Sequence, residues 1–213
     1  MATRCRQFVL MAVVTATAAG CASATARFYT LDSTATATGV PAANYAVLVG
    51  PVSVPPAIDR PQMVVQVAPN RVELDEFNRW AGPLNDSIAR AVAGDLAVLL
   101  GTSDVAVAPL ANFTPTYRVT IDIQVFESVP GQSVFEDAVW AVRQTASGQT
   151  QSGRTTAREP VQGSGFDALA AAHSRALAKV SGDIAAAISA TAERPAPTAA
   201  AESPRRSAPH KKK

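Results

Sequence analysis

Cys21 is the residue of this 213-residue chain whose type and position best suit covalent chemistry. Its thiol follows Ala18-Ala19-Gly20, at the end of a segment that opens with Arg4 and Arg6 and runs through apolar residues from Phe8 to Val14. A basic start, a short apolar centre and a small-residue exit have the form of a secretory signal peptide over residues 1–20. The apolar run is about a dozen residues long, short of the roughly 20 that a helix needs to cross a bilayer. Other candidates for chemistry are few. Beyond residue 20 the histidines are His173 and His210, and no Cys or His pair has zinc-ligand spacing. His173 lies on an apolar helical stripe, where a packed histidine is the expected reading, and Gly163-Ser164-Gly165 lacks the nucleophile-elbow pattern. Glu136 and Asp137 are adjacent on a strand and point to opposite faces, which argues against a proton shared between two carboxylates. No Gly-rich loop ends in Lys-Ser or Lys-Thr, so the chain is no phosphate-loop ATPase. The expectation is a noncatalytic protein with no metal and no cofactor.

What remains is acylation. The ending Ala18-Ala19-Gly20-Cys21 is similar to a bacterial lipobox, with Ala18 where leucine is usual. In that motif the thiol receives a diacylglycerol, cleavage exposes the cysteine amine, and a further acyl chain is added. The competing reading is a free thiol beside an ordinary cleavage site. Cys5 would leave with the signal, so the mature chain would keep one cysteine, at its first position, and could close no internal disulfide. Each buried acyl methylene contributes about 0.8 kcal/mol, and anchoring becomes stable when more than one chain inserts. Ala22, in place of an Asp after the cysteine, is similar to lipoproteins passed to the outer membrane of Gram-negative bacteria.

The body of the chain has to position this anchor. Hydrophobic residues make up 47% of the sequence, enough for a core without disulfides. The formal charge of +2 conceals a division: residues 193–213 hold six positive against two negative side chains, whereas residues 22–192 hold 11 against 15. A nucleic-acid-binding domain would carry its basic residues on the folded body, so nucleic acid is not an expected partner. The basic tail at 193–213 is rich in Pro and Ala and is expected to be disordered. It is either an electrostatic contact for anionic head groups and acidic cell-wall polymers or a solvated extension.

Residues 21–43 read as a lipidated tether, because Ala, Ser, Thr and Gly dominate and bury little surface, although Phe28-Tyr29-Thr30-Leu31 offers a patch that can dock. The domain is expected over 44–192. Tyr45 to Val49 reads as a central strand and Pro55 to Pro61 as an extended loop; Met63–Val67 and Arg71–Asp75 form a hairpin across Pro69-Asn70. Gly82 and Pro83 are expected to cap a helix carrying Leu84, Ile88, Val92, Leu96 and Leu99, ended by Gly101. Val105 to Ala108 is a short strand. Tyr117, Val119, Ile121, Ile123 and Val125 alternate with polar residues as a half-buried strand that turns at Pro130-Gly131 into Val134–Thr145 and at Ser147-Gly148 into Ser152–Arg158. A second helix opens at Ser164 and carries Phe166, Leu169, His173, Leu177, Val180, Ile184 and Ile188. The predicted fold class is α+β, a two-layer sandwich with a mostly antiparallel sheet and two amphipathic helices on one face.

Three segments carry a resemblance to a known family: Gly50-Pro51-Val52, Ile58-Asp59-Arg60-Pro61-Gln62-Met63-Val64, and Arg79-Trp80-Ala81-Gly82-Pro83-Leu84. Together they resemble the signature of the ABC-type transport auxiliary lipoproteins, the family that includes the lipoprotein of the paraquat-inducible system. The resemblance covers roughly residues 26–190, with Gly82 where many members have Glu. It implies an outer-membrane lipoprotein on the periplasmic face, working with mammalian-cell-entry-type transporter subunits that move lipids between the membranes. A homo-oligomer facing a symmetric partner fits the same picture. The alternative is a lipoprotein scaffold or activator of a cell-wall or secretion machine.

Within the signature, Asp59, Arg60, Pro61, Gln62, Arg79 and Trp80 are the candidate partner-binding residues. Pro61 restricts Arg60 to extended geometry, which aims the guanidinium outward. Two readings stand side by side. In one, Asp59 pairs with an arginine under Trp80 as an internal clamp; in the other, exposed Arg60 and Trp80 are docking groups, as Trp and Arg often are at interfaces.

Overall fold

The computed structural model describes residues 25–37, 39 and 44–193; the signal segment, Cys21 and the tail from Arg194 lie outside the described residues. The short apolar run becomes strand β2 (Val47–Ser53), with β1 (Arg27–Tyr29) preceding it. A hairpin of β3 (Gln62–Ala68) and β4 (Arg71–Trp80) follows, then helix α1 (Leu84–Leu100) and β5 (Val105–Val107). The long meander is β6 (Tyr117–Val129), β7 (Ser133–Gln144) and β8 (Thr150–Pro160), closed by helix α2 (Gly165–Glu193).

The fold is α+β. A five-stranded sheet runs β5-β2-β6-β7-β8, and a three-stranded sheet runs β1-β4-β3. β2 lies parallel to both β5 and β6, while the long β6–β7 and β7–β8 pairings are antiparallel. That central place explains why Val47, Leu48 and Val49 are all buried: a strand covered on both faces needs an unbroken apolar run. α1 packs on β2 and β5, α2 packs on β7 and β8, and the helices touch each other.

Both helices follow their apolar stripes. Leu84, Ile88, Val92 and Leu96 of α1 are buried at four-residue spacing, and Leu169, Leu177, Val180, Ile184 and Ile188 of α2 are buried along one helical stripe. Gly101 ends α1 in the left-handed region, its N–H returning to Ala97 O. The start of α1 differs by one residue from the expectation: Pro83, not Gly82, is the capping position, with extended ψ and no side-chain cap. The stretch after Pro55 also differs. The Ile58 and Asp59 N–H groups both donate to Pro55 O, so the chain makes a tight turn before Pro61 instead of running extended.

A bulge in β6 decides what faces the interior. Tyr117, Val119, Ile121 and Ile123 point inward, but the register with β7 shifts between Ile123 and Val125. A one-residue slip reverses every later side chain. Val125, expected on the apolar face, is thereby displaced from that phase, and Phe126 and Ser128 are buried in its place. In β7, Val134, Glu136, Ala138, Trp140 and Val142 share the buried face. Gly153 of β8 lies opposite Trp140, where a Cβ would come within 2.3 Å of the indole ring.

The segment before β2 is not free along its whole length. β1 pairs in parallel with Asn78, Arg79 and Trp80, and Tyr29 and Leu31 are buried. The patch at Phe28–Leu31 thus docks through Tyr29 and Leu31, whereas residues 32–35 give little warning in sequence because most of what holds them is polar.

Candidate functional site

Two of the three family-like segments, the ones holding Arg60 and Trp80, meet in the three-stranded sheet, while Gly50-Pro51-Val52 lies in β2 of the other sheet. The Trp80 N–H donates to Pro61 O at 2.7 Å, and Gln62 is the strand partner of Arg79. Asp59, Arg60 and Pro61 are exposed, and Gln62 and Arg79 are half-buried. Arg79 is turned to its own strand: its Nε donates to Glu76 O at 2.8 Å, and a terminal nitrogen lies 3.6 Å from Glu76 Oε2. Gln62 Nε2 reaches the same carboxylate at 3.4 Å. Among the described residues Asp59 forms no ion pair with either arginine, so the clamp drawn from the sequence has Glu76 as its acid.

Trp80 corrects the other reading. It is 5% exposed and belongs to the core, so it is not a surface docking group. Its ring packs edge-on against Phe126 at 6.1 Å and His173 at 6.3 Å. β4 ends by driving this side chain under the sheet, and the exposed Arg60 turn is fastened above it through Pro61.

Beneath Trp80 lies a buried polar chain of three elements that sequence reasoning did not assemble. His173 Nδ1 is 2.8 Å from Glu136 Oε1, and His173 Nε2 is 2.8 Å from Ser128 Oγ. Phe126 stacks flat on the imidazole, with centroids 3.8 Å apart at 4°. Burial holds the imidazole's pKa down to about 3 and pushes the Glu136 carboxyl well above its ordinary range. The pair is therefore uncharged on both members, with the carboxyl proton retained. Among the described residues Glu136 Oε2 has no hydrogen-bond partner. We assign the proton to Oε1, donated to Nδ1, with Nε2–H donated to Ser128; this leaves Oε2 as an acceptor without a donor, a smaller deficit than an orphaned hydroxyl.

The connectivity is that of an acyl-transfer triad, but the surroundings differ from a reaction centre. Glu136 and His173 are 0% exposed and Ser128 4%, and the stacked Phe126 and Trp80 rings cover the imidazole. No substrate carbonyl reaches Ser128 in this arrangement, and the chain acts as an interior tie between β6, β7 and α2. Asp137 does face the other way, as the strand alternation requires, and forms a bidentate pair with Arg154 that holds its carboxyl below the usual range.

A second buried carboxylate holds the N-terminal segment. Asp95 sits on the buried stripe of α1, and its Oδ1 accepts the Thr34 and Ala35 N–H groups at 2.9 Å and the Ser33 hydroxyl at 2.8 Å. Its Oδ2 accepts the Ser181 hydroxyl of α2 at 3.0 Å. The strap crosses α1 at Gly94, where a Cβ would come within 2.8 Å of Ser33 Cβ. The route toward Cys21 is thus fixed to the domain at residues 29–35. The signal visible in the sequence was a carboxylate in phase with Ile88, Val92 and Leu96.

The surface depressions are open and shallow; one, lined by Gln66, Val67, Pro69, Glu127, Val129 and Arg158, lies between the hairpin tip and the β6–β7 turn. Among the described residues no three His, Cys, Asp or Glu side chains converge as a metal site, and no helix is long and apolar enough to cross a membrane. Cys21 lies outside the described residues.

Comparison with known proteins bears on the whole domain. The sequence model of the ABC-type transport auxiliary lipoprotein component matches residues 29–185. No curated protein matches the chain. An uncharacterised protein of known crystal structure shares the fold at 20% identity with a TM-score of 0.63, covering 78% of this chain and 99% of its own. A Xanthomonas campestris protein from a domain family of unknown function does so at 22% identity with a TM-score of 0.64, covering 78% of this chain and 97% of its own. At such identities the likeness is one of fold.

Proposed function

Because the chain belongs to the ABC-type transport auxiliary lipoprotein family, we propose that it is an outer-membrane lipoprotein, acylated at Cys21, whose domain braces or receives the periplasmic end of a lipid transporter built from mammalian-cell-entry-type subunits. Family membership makes it an auxiliary component of ABC-type transport; the anchor, membrane and partner are our reading. The observation that carries this reading is the placement of the family-like segments. Asp59, Arg60 and Pro61 are exposed on a turn held to the buried Trp80 by one short backbone hydrogen bond. A solvent-facing turn held in place, with a guanidinium that pairs with no acid among the described residues, suits recognition of a carboxylate-bearing surface, since little order has to be gained on binding. The role is noncatalytic: the domain supplies position, and an ATPase elsewhere in the system supplies energy.

Charge reversal at Arg60 tests the docking role. Arg60→Glu, with a photo-crosslinker placed at Gln62 in cells, is expected to lose capture of the transporter subunit while the melting temperature of the purified domain stays unchanged. Retained capture would remove Arg60 from the interface. Lost folding would make the turn a structural clamp.

A further inference from the structure

The three-stranded sheet has one face turned to the core and one turned away, and the outward face is apolar. Tyr29 and Trp80 are buried and paired in register, so Phe28 and its partner Arg79 point outward. Phe77, in the irregular stretch between Asp75 and Arg79, is exposed as well. Beyond the irregularity at residues 76–78, Asp75 pairs with the buried Met63, which places Leu74 and Val72 outward as well. Phe28 is 64% exposed, Val72 61%, Phe77 49% and Leu74 45%, and Val64 lies beside Leu74 on the same face. Most of the large exposed hydrophobic side chains among the described residues belong to this small sheet. A soluble surface rarely gathers so many without a use.

We propose that this face rests on the lipid bilayer that holds acylated Cys21. The inference depends on the acylation stated above. Its own support is the distance. Six residue steps separate Cys21 from Arg27, the first residue of β1, which is at most about 20 Å of extended chain. β1 is an edge strand of the sheet, and Phe28 stands on it, so the anchor enters beside the apolar face. A globular partner about 30 Å across does not fit between the face and an anchor on so short a lead. A tether this short also holds the face near lipid at an effective concentration on the order of millimolar, so an affinity too weak to retain a free domain is enough here.

The charges on the face agree with shallow contact. Arg79 lies 3.6 Å from Glu76, and Arg71 and Glu73, which alternate to the other side of β4, lie 3.8 Å apart, so the polar rim is largely self-neutralised. Arg27, also exposed, sits at the start of β1 where head groups would lie. Aromatic and aliphatic side chains among paired charges, with no spanning helix among the described residues, describe a surface that enters the boundary between head groups and acyl chains.

The acylated full chain, isolated from membranes and placed in vesicles of phosphatidylethanolamine and phosphatidylglycerol, provides the test. Its mature form has its one cysteine consumed by the acyl group, so Leu74→Cys and, separately, Val139→Cys each introduce a single site for a fluorophore. Val139 lies on the other sheet and is also exposed. With lipids brominated on their acyl chains, the probe at 74 is expected to be quenched several-fold more than the probe at 139. Adding Phe28→Ser and Phe77→Ser should abolish the difference while the protein still floats with the vesicles. Equal quenching at both positions in a floating protein overturns the inference and leaves the anchor intact. Shielding at 74 without quenching by brominated lipid, with crosslinks to a second copy or another protein, overturns it in favour of a protein cover. If the wild-type chain does not float, the acylation fails, and this inference with it.

Discussion

Replacing Glu136 by Gln should change how stability depends on pH, in a way that no surface carboxylate would imitate. The folded pair of Glu136 and His173 keeps one proton from about pH 3, the depressed value of the imidazole, up to the raised value of the carboxyl. The unfolded chain titrates at the ordinary values of 4.5 and 6.5. Below 4.5 the unfolded pair holds two protons against one in the fold, so stability rises with pH. Between 4.5 and 6.5 each state holds one, and the pair's contribution is flat. Above 6.5 the unfolded pair holds none, so stability falls by about 1.4 kcal/mol per pH unit for as long as the buried carboxyl keeps its proton. Each pH unit of that fall is a large share of a marginal fold. In Glu136→Gln the amide N–H replaces the carboxyl O–H as the donor to Nδ1, but it does not titrate. The alkaline fall should vanish, and a new acid fall should begin near 6.5, where the unfolded imidazole takes a proton that the folded one refuses. Urea unfolding of both proteins from pH 4.5 to 8 reads the two slopes. Parallel curves above pH 6.5 would refute the reasoning, since they would mean that the folded pair carries no retained proton.

Gly153→Ala places a methyl group against the Trp140 ring, at the 2.3 Å approach described above; the variant should lose roughly 1–3 kcal/mol in denaturant unfolding, the usual range for overpacking. Asp95→Ala leaves the Thr34 and Ala35 N–H groups and two hydroxyls without their acceptor. It should cost about 1.5–3 kcal/mol and speed amide exchange at residues 34 and 35 more than in β6 or β7, because the strap opens before the core does.

The legible part of the fold was whatever follows from local period and local chemistry. The unbroken run at Val47–Val49, the alternation from Tyr117 to Ile123 and the stripes of both helices each state a burial pattern that the structure repeats. What was not legible depends on partners distant in sequence. The bulge after Ile123 is a property of how β6 meets β7, and nothing within Gln124-Val125-Phe126 announces it. Its consequence is nonetheless large, since it brings Ser128 inward to meet an imidazole 45 residues away. The docking reading of Trp80 fails for a related reason: an Arg-Trp pair near a helix entrance looks like a surface anchor until β1 pairs with the strand that carries it and the ring packs on Phe126 and His173. In each case a signal existed but was incomplete. Glu136 is in phase with Ala138, Trp140 and Val142, Asp95 with Ile88 and Val92, and His173 with Leu169 and Leu177. A polar residue on an apolar face declares that a partner exists without saying which one.

These buried polar groups also explain how the exposed turn at Arg60 can be stiff. Apolar packing alone tolerates small slides of a helix over a sheet, whereas a hydrogen-bonded chain across three elements tolerates little, because each slip leaves a buried donor or acceptor unpaired. Ser128, His173 and Glu136 fix α2 against β6 and β7; Phe126 and Trp80 rest on that imidazole; and the Trp80 N–H holds Pro61, next to Arg60. Asp95 adds the same constraint between α1, α2 and the strap. The segment at residues 32–35 and the turn at Arg60 are thus each tied to buried polar groups that include α2, which is what the proposed function would require of a part that holds a transporter end at a set place above a membrane. On this account Trp80→Phe, which keeps an aromatic ring over His173, should preserve partner capture at Arg60 better than Trp80→Ala, and the order of the two in crosslinking yield would follow stiffness of the turn and not exposure of the side chain.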